Sequence, residues 1–87
     1  GKVTFALAEI DAEQHVSVVG DFNDWDPLAH PLEQDSSGRH SVTVELPVGA
    51  SYHFKYLAGD GAWFCDPDVA ERELNEYGEM NSLLQLP

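Results

Sequence analysis

Apolar residues in this chain recur at every second position, and nowhere over any length at helical spacing. Tyr52, Phe54 and Tyr56 alternate with His53, Lys55 and Leu57, and His40, Val42, Val44 and Leu46 alternate within Arg39–Leu46. Successive side chains of a strand point to opposite faces, so a period of two marks a strand buried on one side. Residues 2–9 set Val3, Phe5 and Leu7 against Lys2, Thr4 and Ala6, and His15–Gly20 turns Val16 and Val18 inward. Ala62–Cys65 and Ser82–Leu86 read as two shorter strands. Turn chemistry separates these runs: Pro47-Val48-Gly49-Ala50 breaks one, Gly59-Asp60-Gly61 closes a hairpin, and Asp66-Pro67 stops another. Asp21 to Gly38 is rich in Asp, Pro, Asn and Ser and reads as loop, with a short strand near His30–Glu33. The polar stretch 68–80 is expected to hold a helical turn around Ala70–Leu74. Six or seven short strands joined by turns predict an all-β fold, an immunoglobulin-like β-sandwich.

With 87 residues, the chain has room for one domain, residues 1–87. A chain this short buries only about 60% of its unfolded surface, so the core must be efficient. Its 43% apolar content is near the globular average and predicts order rather than disorder. No apolar run approaches the ~20 residues of a membrane span, and no basic leader precedes an apolar stretch. The chain starts at Gly1 rather than Met, so it reads as a processed product or an excised piece of a cytoplasmic protein. Sixteen acidic residues against four basic ones give a net charge of −12, which repels nucleic acid and anionic lipid. Neither is expected as a partner, whereas a neutral ligand is indifferent to the charge. Plain solubility accounts for it equally well. Cys65 is the only cysteine, which rules out an intrachain disulfide, fits a reducing compartment, and predicts a small buried hydrophobe in a strand.

Two residues do not fit a plain structural account. Trp25 and Trp63 each end a polar, turn-rich segment, Gly20-Asp21-Phe22-Asn23-Asp24-Trp25 and Gly59-Asp60-Gly61-Ala62-Trp63. An indole offers a flat apolar face and one N–H donor. A sugar ring offers C–H bonds on a face and hydroxyls around its rim, so paired exposed indoles can form a sugar platform. The alternative is that both fold back into a small core. Lys55 faces away from the core by strand alternation, as a solvated lysine or a ligand contact. Asn81 can donate and accept, which suits either a vicinal diol or a turn cap before the last strand. Phe22 reads as a core plug beneath its loop.

An ordered set of segments carries a family resemblance. Val18-Val19-Gly20-Asp21-Phe22-Asn23-Asp24-Trp25, Leu46-Pro47-Val48-Gly49, Tyr52-His53-Phe54-Lys55-Tyr56, Gly61-Ala62-Trp63-Phe64-Cys65-Asp66-Pro67 and Asn75-Glu76-Tyr77-Gly78-Glu79-Met80-Asn81 follow one another in that order. Together they resemble the glycogen-binding modules of carbohydrate-binding module family 48. These modules are found in the AMP-activated protein kinase β subunit and at the N-termini of isoamylases and glycogen-branching enzymes. The resemblance implies an early-set immunoglobulin-like sandwich that binds α-1,4-glucans such as glycogen, starch and maltooligosaccharides. It implies that Trp25 and Trp63 stack on glucose rings while Lys55 and Asn81 hydrogen-bond hydroxyls. Tyr77 and Glu79 stand where the kinase subunit carries an aliphatic residue and a threonine. Tyr77 is expected either as a third wall of the site or as a pin on the sandwich edge, with Glu79 accepting a hydroxyl.

Nothing in the sequence assembles a catalytic group. A glycosidase needs two carboxylates, one in an environment that raises its pKa, and an 87-residue sandwich has little depth for that. A phosphate loop and a nucleophile elbow are both missing. His15, His30, His40 and His53 lack metal-ligand spacing, and Asp21–Asp26 lacks the spacing of a calcium loop. The expectation is a non-catalytic module with no cofactor and no metal, targeting or anchoring a larger protein to glucan beside a catalytic or regulatory domain. The alternative is a structural domain of isoamylase N-terminal type that braces its neighbour without holding sugar.

Overall fold

A computed structural model describes residues 1–7 and 15–87. Among the described residues, eight strands form two antiparallel sheets. The smaller sheet has the order β1-β4-β3, from β1 (Lys2–Leu7), β3 (Glu33–Gln34) and β4 (His40–Glu45). The larger runs β2-β5-β8-β7, from β2 (Val16–Gly20), β5 (Ala50–Ala58), β7 (Arg72–Leu74) and β8 (Met80–Leu86). The short β6 (Trp63–Phe64) pairs with the far end of β5, opposite Tyr56 and Leu57. The all-β sandwich expected from the alternation is the observed architecture.

The inward side chains of both sheets meet in one core: Phe5, Leu7, Val44 and Leu46 from one side, Val16, Val18, Phe54 and Tyr56 from the other, with Leu32 between. Phe5 meets Phe54 edge-on at 5.0 Å between ring centroids. Phe22 stacks on Phe5 at 5.4 Å, so it plugs the core as expected. Buried polar atoms are paired at the β6 end. The Tyr56 hydroxyl donates to Asp66 Oδ2 at 2.8 Å, and Asp66 N–H donates to Ser82 Oγ at 3.0 Å. Burial, with the hydrogen bond to Asp66 adding to it, pushes the Tyr56 phenol far up, so it stays a donor. Asp66 therefore ends β6 and ties the crossover to β8.

Some expectations needed correcting. Residues 68–80 hold no helical turn; Arg72–Leu74 is strand β7, paired with β8 from Arg72↔Ser82 to Leu74↔Met80. The helical reading rested on local propensity, a weak prior that backbone pairing to a neighbouring strand overrides. The last strand begins at Met80, so Asn81 sits within it rather than capping a turn. Cys65 lies just beyond β6, half-buried, with its thiol donating to Met80 O at 3.2 Å. The short strand expected near His30–Glu33 is an isolated bridge, Ser17↔Pro31, followed by β3. The expected continuation of β1 through residues 8 and 9 lies outside the described residues.

Candidate functional site

Strand register assembles the site. Directly paired residues of antiparallel strands share a face. Leu57 is paired with Trp63, Lys55 with Val19, His53 with Leu83, and Asn81 with Glu73. His53, Lys55 and Leu57 alternate on one side of β5, and Asn81 lies two residues from Leu83 on β8. Trp63, Lys55, His53, Asn81 and Glu73 therefore all stand on the outer face of the larger sheet, opposite the core. Loops at either side add Trp25 and Tyr77. The result is an open groove of about 610 Å³ lined by all five of Trp25, Lys55, Trp63, Tyr77 and Asn81, together with Asp21, His53, Glu73, Leu74, Asn75, Glu76 and Glu79. Its volume falls within the usual range for small-molecule sites.

Trp25 arrives on a tightly bolted turn. After β2 the chain forms a 3-10 turn, Asp21–Asn23, and then two residues in the left-handed region, Asp24 at φ 55° and Trp25 at φ 58°. A bulky side chain at positive φ is rare, and each such residue costs on the order of 1–3 kcal/mol. The surroundings hold it there. Trp25 N–H donates to Gly20 O at 3.0 Å, and Asp26 N–H donates to Asn23 O at 3.1 Å. The Asn23 amide accepts Gly20 N–H at 3.0 Å and donates to Val18 O at 3.1 Å and to His30 Nδ1 at 2.9 Å. Gly20 must be glycine: a Cβ there would sit 2.4 Å from His53 O and 3.0 Å from Phe54 Cβ. Trp25 ends half-buried at the groove wall rather than in the core.

Trp63 and Tyr77 are carried by hairpins of the same construction. Gly61 N–H donates to Ala58 O and Ala58 N–H to Ala62 O; Gly78 N–H donates to Asn75 O and Asn75 N–H to Glu79 O. Each is a tight turn followed by a left-handed glycine, Gly61 at φ 89° and Gly78 at φ 78°. Asp35–Arg39, with Gly38 at φ 87°, repeats the pattern at the β3–β4 connection. The Asn75 carbonyl oxygen of the side chain also accepts Tyr77 N–H at 2.9 Å and Glu79 N–H at 3.0 Å. Asn75 thus sets the loop while Tyr77 stands 82% exposed and Trp63 48% exposed. A residue so exposed buries little surface against the sandwich edge.

The polar groups occupy the floor. Lys55 does point away from the core, but only 12% of its side chain is exposed, and its Nζ lies 3.4 Å from Glu79 Oε2. It is therefore not a solvated surface lysine. Asn81 is 5% exposed, with Asn75 Nδ2 at 3.5 Å from its Oδ1. At one end His53 is gripped from two sides. Asp21 Oδ2 accepts both His53 N–H, at 2.8 Å, and Nδ1–H, at 2.9 Å, while Nε2 faces Glu73 Oε1 at 3.1 Å. The hydrogen bond to Asp21, aided by Glu73 and opposed by burial, holds the imidazole above its ordinary pKa. Sequence reasoning passed over His53, although the alternation that put Lys55 on this face put His53 there too. Asn75 was signalled by Asn75-x-x-Gly78, which repeats Asp35-x-x-Gly38.

Residues 9–87 match the family described as the glycogen recognition site of AMP-activated protein kinase. The chain belongs to that family. Over 61 residues it is 36% identical to a 1,4-alpha-glucan branching enzyme of Xanthomonas campestris pv. campestris, covering 69% of this chain and 8% of that protein. It is 42% identical over 60 residues to a branching enzyme of Deinococcus radiodurans, covering 68% of this chain and 8% of that protein. A branching enzyme of Synechococcus elongatus is 38% identical over 60 residues, with the same shares of 68% and 8%. The chain thus spans 8% of the length of these relatives. No helix among the described residues is long and apolar enough to cross a membrane.

Proposed function

We propose that this chain binds α-1,4-glucan without catalysing its breakdown or synthesis. Trp25 and Trp63 stack on glucose rings, Lys55 and Asn81 hydrogen-bond hydroxyls from the floor, and Tyr77 supplies a third apolar wall. The observation that carries the reading is the meeting of these five residues, drawn from four separate segments, in one groove on the face opposite the core. A purely structural domain has no need of two indoles and an 82% exposed tyrosine around a polar floor. Membership of a glycogen-recognition family supports the ligand class. Because the relatives are branching enzymes of which the chain spans 8%, the module serves to hold an adjoining catalytic domain against its polysaccharide. Titration with a cyclic maltooligosaccharide, followed by tryptophan fluorescence, tests the proposal: saturable change in emission is expected, and a flat titration, matched by no retention on soluble glycogen, removes it.

That same 8% share favours one second reading, a domain that braces a catalytic neighbour. It predicts no sugar response in the isolated chain and a loss of thermal stability in the neighbour when the module is deleted.

A further inference from the structure

His53 belongs to neither the stacking walls nor the hydrophobic core, yet both nitrogens of its ring are engaged by carboxylates at the groove. Its ring lies between two carboxylates that come from different parts of the chain. Asp21 begins the turn that leads to Trp25, and Glu73 lies in β7, which leads into the hairpin of Tyr77. Ionised carboxylates only accept hydrogen bonds. For Nδ1 to serve Asp21 at 2.9 Å and Nε2 to serve Glu73 at 3.1 Å, both ring nitrogens must carry protons.

We propose that His53 is a positioning residue for the glucan groove: its imidazolium ties the segment bearing Trp25 to the hairpin bearing Tyr77 and helps to set the spacing of the two walls. The inference rests on the glucan reading of the groove. A neutral ring has one N–H and can serve one carboxylate only; the backbone N–H of His53 still holds Asp21 at 2.8 Å, so deprotonation weakens the tie by one charge-assisted bond. The wider charge layout acts in the same direction. Asp21 faces His53 from the turn and Glu73 from β7, while Glu76 and Glu79 line the groove from the hairpin and Lys55 stands two residues along β5. Without the imidazolium, Lys55 alone opposes these four carboxylates, and it is already engaged by Glu79 at 3.4 Å. Repulsion between the walls then grows.

The sign follows from the protonated form being the tied one. The two carboxylates hold the ring above its ordinary value of 6.5, so the tie is complete below that pH and weakens as pH rises through the higher folded value. Affinity should move with it.

The test is a titration of the intact chain with cyclic maltooligosaccharide by calorimetry, from about pH 6 to about pH 8.5, a range that spans the imidazole. The parent should lose affinity about threefold or more across the range in a single-proton transition, the size of a modest coupling between two sites. His53→Gln should bind with little pH dependence, at an affinity near the parent's high-pH limit. Glu73→Gln keeps an accepting oxygen but removes its charge, so it should shift the transition to lower pH; it answers the question alone if His53→Gln does not fold. His30, which touches Asn23 in the Trp25 segment at 2.9 Å, remains in every variant and serves as the internal control. Binding that is level with pH in the parent, or a slope that survives in His53→Gln, overturns the inference and leaves the glucan reading standing. No binding at any pH overturns both.

Discussion

Replacing Tyr77 separates a ligand wall from a structural prop, because the residue is 82% exposed. A tyrosine buries on the order of 200 Å² when fully covered, so the covered fifth comes to roughly 40 Å². At about 25 cal/mol per Å² the loss on truncation is at most ~1 kcal/mol, and less once residual burial in the unfolded chain is counted. For a domain of this size, that is a fall in melting temperature of about 5 °C or less. Asn75→Ala makes the contrasting perturbation. It removes the acceptor for Tyr77 N–H and Glu79 N–H, and two such hydrogen bonds contribute about 2 kcal/mol. It should therefore lower the melting temperature more than Tyr77→Ala does. The order reverses for ligand. Stacking on an aromatic ring is worth about 1–3 kcal/mol by analogy with nucleobases, so Tyr77→Ala should weaken binding of a cyclic maltooligosaccharide by roughly fivefold to a hundredfold. Tyr77→Leu keeps an apolar wall and should recover part of that loss. Paired thermal melts and calorimetric titrations of the three variants decide the matter. Unchanged affinity in both Tyr77 variants, with the parent binding normally, takes Tyr77 out of the site. A drop of more than about 10 °C in Tyr77→Ala would refute the exposure argument itself.

Other outcomes follow from the same geometry. Trp25→Ala and Trp63→Ala should each lower glucan affinity at least about tenfold while the far-ultraviolet spectrum keeps its β-sheet form; equal retention of both variants and the parent on glycogen would discard the platform. Tyr56→Phe leaves a buried carboxylate oxygen of Asp66 without its donor and should cost about 1–3 kcal/mol in urea unfolding, with sugar affinity unchanged in the folded fraction. Affinity for a neutral maltooligosaccharide should be level between low and high salt, whereas a phosphorylated one should bind more weakly at low salt because the groove carries Asp21, Glu73, Glu76 and Glu79; a neutral ligand that proved strongly salt-dependent would point to a charged partner.

The two-residue period of Tyr52–Leu57 and of Arg39–Leu46 was enough to place those residues on strands and to say which side of each faced the core. That much is local, because pleating alone sends successive side chains to opposite faces. The same periodicity put Lys55 on the outer face, and turn chemistry marked Gly59-Asp60-Gly61 as the hairpin that presents Trp63. Pairing was not local. Whether 68–80 becomes helix or strand depends on β8 lying alongside to take its backbone hydrogen bonds, and no propensity in Arg72–Leu74 encodes that neighbour. The environment of a side chain is likewise a property of what converges on it. Lys55 is 12% exposed and meets Glu79 from the Tyr77 hairpin, and His53 is held above its ordinary pKa because Asp21 and Glu73 arrive from positions 32 and 20 residues away. The chain's sequence by itself determined which residues could face a ligand; tertiary pairing decided which of them share a groove and which charges meet there, because register and Coulomb interactions depend on distances in space that separation along the chain does not set.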